Sequence, residues 1–134
     1  MAKFEFVEKY KDAGLDLPVR KTAEAAGYDL VAAEDTIVPS ALLMMEDLLK
    51  IFPVEINNDE FISLENMKDI TRGYNYKPTL VSTGLKCKLD PGTYLELSVR
   101  SSTPLKYWLM LANGVGVIDG DYYNNPDNEG EIFL

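Results

Sequence analysis

Three short segments of this sequence carry more polar and conformationally special residues than a folded scaffold requires. The first is Ala25-Ala26-Gly27-Tyr28-Asp29-Leu30, where a carboxylate interrupts an apolar run. The second, Arg100-Ser101-Ser102-Thr103-Pro104-Leu105-Lys106, brings one guanidinium, three hydroxyls and a lysine to the expected end of a strand. A guanidinium offers a fork of donors that matches phosphate oxygens, and hydroxyls donate to the same acceptors. The third runs Ala112-Asn113-Gly114-Val115-Gly116-Val117-Ile118-Asp119-Gly120-Asp121-Tyr122-Tyr123. Its glycines let a flat ligand approach the backbone, and Asn113 has both a donor and an acceptor for the edge of a base. Each segment alone has an ordinary explanation: a surface Asp, a Ser/Thr/Pro turn, and Asn-Gly or Asp-Gly hairpin turns. Together they supply phosphate donors, a base clamp and spare carboxylates, which is the chemistry of a nucleotide site.

The residue inventory narrows how such a site could work. The 134 residues include no histidine and one cysteine, Cys87. Imidazole bases, His-ligated zinc, a Ser-His-Asp triad, an intrachain disulfide and a thiolate zinc cluster are excluded within this chain. Acid–base chemistry falls to carboxylates, Tyr, Lys or a bound metal. The net charge of −9 argues against nucleic acid as a partner, since non-specific binding needs basic patches that displace counterions. The apolar fraction of 46% is ordinary for a globular domain and too high for a disordered chain. No run approaches the roughly 20 apolar residues that span a bilayer. Met1 to Asp12 has no apolar core of signal-peptide type. A cytoplasmic location without membrane partners is the expectation.

The elements that would position these segments are mostly strands. Phe4, Phe6 and Val7 among Lys3, Glu5 and Glu8 predict a first strand. Asp16 to Gly27 reads as irregular chain, Tyr28 to Ala33 as a strand, and Thr36-Ile37-Val38 as another, stopped by Pro39. Leu85, Cys87 and Leu89 alternate with Lys86 and Lys88, and Tyr94 to Val99 alternates again. Asp90-Pro91-Gly92 between them is a turn signal, so the two runs are expected to form a hairpin with Cys87 as an inert thiol on its apolar side. A second hairpin is expected to turn at Asn113-Gly114 or at Asp119-Gly120. The pattern differs in the middle. Ala41, Met44, Met45, Leu48, Leu49 and Phe52 recur at helical spacing up to Pro53. A shorter helix is expected from Ser63 to Arg72, ahead of Gly73. The sum is a mainly β domain, a sandwich or small barrel, with a helical insertion at about residues 40–77.

At this point the residues resemble a family, the trimeric dUTP pyrophosphatases (dUTPases). Ala26 to Leu30, preceded by Leu17-Pro18, is similar to that family's Ala-Gly-Tyr-Asp-Leu segment. Arg100-Ser101, with Ser102 in place of a glycine, is similar to its Arg-Ser-Gly segment, and Gly116 to Tyr122 matches its Gly-x-Ile-Asp-x-Asp-Tyr segment in full. The insertion and the run Tyr123 to Asn128 resemble the longer dUTPases of Gram-positive bacteria and their phages. The resemblance implies a distorted jelly-roll β-barrel with an α-helical insertion, assembled as a homotrimer with shared active sites. It implies hydrolysis of dUTP to dUMP and pyrophosphate, by in-line attack of water on the α-phosphorus.

The roles it implies fall on residues already singled out. Asp119 orients and deprotonates the water; a carboxylate is ionised at neutral pH and accepts a proton weakly. Asp121 is its competitor, on the same face if the stretch is extended. Asn113 reads the uracil edge, Gly116 permits close approach, and Tyr122 packs on the deoxyribose where a 2′-hydroxyl would sit. Arg100, Ser101 and Ser102 contact the phosphates. Asp29 holds Mg²⁺ through its waters, since Mg²⁺ keeps several and uses few protein carboxylates.

The family also carries a later Gly-Asp-Arg-Ile-Ala-Gln type strand and a Gly-rich, Arg-containing arm, and this sequence stops at Leu134 before both. The expectation is therefore a single domain, residues 1–134, truncated at its C-terminus and weak or inactive by itself. Two other functions compete. The Arg100-Ser101-Ser102 segment is similar to that of dCTP deaminases, which share the fold, although Ile118 to Tyr122 follows the dUTPase pattern. Phage dUTPases also act as regulators that bind proteins, and a Met44-Met45 helix face could dock such a partner.

Overall fold

Strand β1 (Lys3–Phe6) forms where Phe4 and Phe6 alternate with Lys3 and Glu5. In the computed structural model, which describes residues 2–39 and 77–134, it pairs antiparallel with β2 (Leu85–Lys88). Phe4 lies opposite Cys87 and Phe6 opposite Leu85, while Glu5 lies opposite Lys86. The period of two sends the first pairs to one face and the charged pair to the other. Leu85 and Cys87 are accordingly buried. Just before β2 the chain also pairs with the C-terminal residues. Val81 and Leu134 exchange both backbone hydrogen bonds, at 2.8 and 2.9 Å, and Ile132 donates to the Leu85 carbonyl at 2.8 Å.

A second antiparallel pair joins β3 (Leu95–Leu97) to β4 (Gly116–Ile118), with Leu97 opposite Gly116. The core forms where the two pairs meet: Phe4, Cys87, Leu97 and the fully buried Ile132 make one cluster. Burying a side chain of this size stabilises by about 1.5–3 kcal/mol. Burial also pushes the Cys87 thiol above its ordinary pKa, which keeps it protonated and unreactive, as its alternation predicts.

Several expected elements take another form. The Asp90-Pro91-Gly92 turn exists, with Thr93 donating to the Asp90 carbonyl at 3.2 Å and Gly92 at φ +76°. Yet the strands flanking it do not pair with each other, because β2 takes β1 and β3 takes β4 as partner. Alternation dictates which face of a strand is buried, not which strand lies beside it. Tyr28 to Ala33 and Thr36 to Val38 are irregular rather than strands, with a bend at Ala33. Tyr28 and Leu30 do pack on the core, and one ladder-like bond, Ala33 to the Ser82 carbonyl at 2.8 Å, is made. A strand needs a row of backbone partners, and an apolar face does not provide one.

The hairpin turn also differs. Gly114, at φ +75°, donates to Leu111 at 2.9 Å, but β4 pairs with the distant β3, so neither Asn113-Gly114 nor Asp119-Gly120 links adjacent ladder strands. The Arg-Ser segment opens a helix, α1 (Ser102–Tyr107), rather than ending a strand. Pro104 is tolerated because the first turn of a helix has no use for its N–H.

The chain divides into two compact units, Met1–Thr36 with Leu80–Leu134, and Ile37–Thr79. The elements above belong to the first. Of the second, the described residues are 37–39 and 77–79, which are irregular. The helices expected over 41–52 and 63–72 lie outside the described residues. Among the described residues no helix is long and apolar enough to cross a membrane.

Gly84 offers a direct test of this packing. It sits at φ +66°, its carbonyl accepts from Val7, and a Cβ there would lie 2.8 Å from the Tyr10 ring. Gly92 has a similar φ of +76° but open space around it. Gly84→Ala is expected to cost about 2–3 kcal/mol and Gly92→Ala about 1 kcal/mol. Urea titration measures both; equal losses would remove the Tyr10 contact as the cause.

Candidate functional site

The Tyr28-Asp29-Leu30 segment is held by its neighbours on either side of the carboxylate. Tyr28 packs edge-on against Phe4, with ring centroids 5.1 Å apart, and the Arg20 guanidinium lies over its ring at 5.5 Å. Leu30 also rests on the core. Between these two packed residues, the Oδ1 of half-buried Asp29 lies 3.7 Å from Nε of Arg100. Arg100 and Asp29 come from sequence segments 71 residues apart, and the fold brings them together. The side chain of Arg100 stays 74% exposed. An ion pair this exposed contributes at most about 1 kcal/mol to stability. It orients a guanidinium that remains open to solvent. Ser101, exposed, and Ser102, half-buried, follow at the start of α1, and the Ser101 side chain makes no capping hydrogen bond.

The third segment is distributed around β4. Asn113 is exposed at the turn before it. Gly116 is buried in β4, where a Cβ would come within 3.1 Å of the Leu97 side chain. A side chain there would crowd Leu97, which would have to give by a few tenths of an ångström. Asp119 is exposed immediately after β4, and its carbonyl accepts from the Tyr122 amide at 3.2 Å. Among the described residues its carboxylate has no hydrogen-bond or ion-pair partner. Gly120–Tyr122 is a single 3-10 turn. Asp121 is therefore not on the face of Asp119, as it would be in an extended chain.

Tyr122 differs from these exposed groups. Its hydroxyl donates to the Glu131 carbonyl at 3.1 Å and receives Asn128 Nδ2 at 2.7 Å. The loop that does this, residues 123–131, is anchored to the outer face of β1 and β2. Tyr123 donates to Glu5 at 2.7 Å, and Lys86 donates to Asn124 at 2.7 Å while lying 5.5 Å from the Tyr123 ring. Asn125 and Asn128 were not singled out from the sequence. Their signal was the Asn-Pro-Asp-Asn spacing, which suits side chains that bind backbone a few residues on.

Among the described residues no three His, Cys, Asp or Glu side chains form a metal cage. Asp29 is one hard oxygen donor beside a guanidinium. That donor set suits a hydrated Mg²⁺ carried on phosphates, because the ion keeps several waters and takes one or two protein carboxylates.

The chain is 40% identical over 131 residues to the deoxyuridine 5′-triphosphate nucleotidohydrolase of Lactococcus lactis, covering 98% of this chain. A solved structure, a dUTPase from Streptococcus mutans, is 39% identical and matches with a TM-score of 0.63 over 98% of this chain and 74% of that one. The chain belongs to the dUTPase family. Its fold is accordingly the mainly β jelly roll of dUTPases. It spans 64% of the length of the Lactococcus dUTPase. No protein-family model matches it.

The anchor beneath this chain's 123–131 loop is open to titration. The Tyr123 hydrogen bond, aided by Lys3, holds the Glu5 carboxyl below its ordinary range. The same bond, with some burial, pushes the Tyr123 phenol above its own. The depressed Glu5 contributes stability above its unfolded pKa, lost as pH falls through the folded one. The raised Tyr123 contributes below the ordinary tyrosine pKa of about 10, lost as pH rises through the folded value. Absorbance titration is expected to find Tyr123 ionising later than a free tyrosine, with Glu5→Gln returning it toward the ordinary value. Comparison with Tyr123→Phe assigns the signal. A late phenol unaffected by Glu5→Gln would rule out the hydrogen bond as its cause.

Proposed function

We propose that the protein carrying this chain hydrolyses dUTP to dUMP and pyrophosphate. The observation that supports this most is the intact Gly116 to Tyr122 segment, with a solvent-facing carboxylate at Asp119, unpartnered among the described residues, directly after β4 and a tethered tyrosine three residues on. Family membership and the relatives' names support it as well.

In this reading Asp119 orients a water in line with the α-phosphorus and takes its proton as the P–O bond forms, and pyrophosphate leaves from the opposite side. An unpaired carboxylate suits the task, since a salt-bridged one would be a weaker base. Arg100, Ser101 and Ser102 donate to the phosphate oxygens, where the charge of the transition state develops. The Asp29 pair keeps the Arg100 guanidinium facing outward for that contact. Asn113 pairs with the uracil edge from its exposed turn. Gly116 lets the nucleoside lie close to β4, and Tyr122 packs on the deoxyribose. Asp29 would hold Mg²⁺ through water. When bound, the ion neutralises phosphate charge that a chain of net charge −9 would otherwise repel.

The same reading includes a homotrimer. What supports it is the segment from Leu105 to Met110, in which Leu105 and Trp108 are each 83% exposed and Met110 71% exposed. Apolar side chains this open, in one run, are of the kind that another subunit covers.

Asp119→Asn in the protein carrying this chain is expected to lower dUTP turnover by roughly 10²-fold or more. Binding of a non-hydrolysable dUTP analogue should survive, because the side-chain shape is kept. Pyrophosphate release and calorimetry read the two effects. Near-normal turnover would pass the role of base to Asp121.

A further inference from the structure

The amides of Asn125 and Asn128 form a closed network whose donors and acceptors have only one consistent arrangement. Asn128 Oδ1 receives the Gly130 amide at 3.0 Å and Asn125 Nδ2 at 2.8 Å. A backbone N–H can only donate, so the amide oxygen of Asn128 must face Gly130. Its Nδ2 then faces Tyr122 and donates to the phenol oxygen at 2.7 Å. An amide nitrogen does not accept, so the proton of that phenol goes to the Glu131 carbonyl at 3.1 Å. Asn125 is fixed by the same logic. Its Oδ1 receives the amides of Asp127 and Asn128 at 3.0 and 3.1 Å, which turns its Nδ2 to the Tyr122 carbonyl at 2.9 Å.

The backbone keeps this network closed. Asn124 and Glu129 both adopt positive φ, and each donates its amide to the loop, Asn124 to the Glu129 carbonyl and Glu129 to the Asn125 carbonyl, both at 3.0 Å. Gly130, at φ +81°, passes so near Tyr122 that a Cβ would lie 2.5 Å from the Tyr122 carbonyl oxygen. The loop therefore holds Tyr122 at both its backbone carbonyl and its phenol. Its hydroxyl is spent within the chain, and what remains for a ligand is the ring.

We propose that Asn128 is a positioning residue for sugar discrimination: by fixing the Tyr122 phenol it makes the ring an unyielding wall against a ribose 2′-hydroxyl. This rests on the reading of Tyr122 as the residue that packs on the deoxyribose. Exclusion by contact works only if the excluding group cannot move. A tyrosine anchored by its Cβ alone can relieve a clash by turning about its two side-chain torsions at small cost. One held at the far end by two hydrogen bonds must break them to yield. The loss of Asn128 should consequently show in the preference for deoxyribose over ribose more than in affinity for the deoxynucleotide.

The test uses the protein carrying this chain and the non-hydrolysable α,β-imido analogues of dUTP and UTP, titrated by calorimetry. Asn128→Ser retains an oxygen for Gly130 but cannot reach Tyr122, and Tyr122→Phe removes the hydroxyl while leaving the ring. Each is expected to lower the dUTP/UTP affinity ratio by roughly threefold to tenfold, the size of one hydrogen bond. The double variant should lower it no further. A merely structural role would weaken both analogues equally and leave the ratio intact. An unchanged ratio in Asn128→Ser, beside a collapsed ratio in Tyr122→Ala, overturns the proposal and leaves the sugar-packing role standing. An unchanged ratio in Tyr122→Ala overturns both. If Asn128→Ser does not fold, Tyr122→Phe and the unmodified protein decide. Magnetic resonance should find a slowly exchanging Tyr122 hydroxyl proton close to the Asn128 side-chain amide, and its absence would also overturn the proposal.

Discussion

Glu5 opposite Lys86 is one consequence of the way β1 and β2 are registered, and much of the described structure hangs from it. The same register puts Phe4 opposite Cys87 in the core. A slip of one residue would expose the apolar set and bury the charges. With the register as it is, the Lys86 side chain is only 12% exposed, yet its ammonium reaches Asn124 and Glu129. Glu5 meanwhile accepts from Tyr123. Glu129 in turn receives the Glu8 amide at 3.3 Å, where the chain leaves β1. A buried ammonium without such partners would be costly, so the outer face of this strand pair demands a polar loop over it.

That loop carries the constraint to the site. Tyr123 and Asn124 are tied to the strands, and Asn125 and Asn128 pass the order on to Tyr122. Glu131 closes the route from the other end, because its carbonyl accepts from Tyr122 while its side chain accepts from Ser82, which also bonds Tyr10. The candidate site is thus of two kinds. Tyr122 and Gly116 are set by packing and hydrogen bonds. Arg100, Asn113 and Asp119 are exposed, with the first oriented by a loose ion pair to Asp29. Rigidity serves a shape-reading surface, whereas groups meant for a charged, solvated substrate must stay reachable until it arrives.

How much of this was legible can be judged from particular residues. Leu85 and Cys87 announced a buried face by alternation, and their burial needs nothing beyond a period of two. Asp90-Pro91-Gly92 announced a turn, because Pro and Gly constrain φ locally. The partner of β2 was not legible, since Phe4 is 83 residues from Cys87 and pairing depends on which apolar faces can meet. The helix α1 was hidden by Ser-Thr-Pro, which reads as a turn but is equally compatible with a first helical turn. Tyr28 to Ala33 had the face of a strand without the backbone partners of one.

By itself, the sequence determined what chemistry is open to this protein. With no histidine and one cysteine, proton transfer is left to carboxylates, Tyr, Lys or a bound metal, and Asp119 and Tyr122 stand at a spacing shared with a known family. Those are properties of residue type and local order, which survive without a fold. Only the tertiary structure decided what each group is free to do. It left Asp119 without a partner among the described residues, brought Arg100 to Asp29, and spent the Tyr122 hydroxyl on Asn128 and Glu131. Availability depends on who else lies within hydrogen-bond reach, and that is a property of the packed chain rather than of any segment of it.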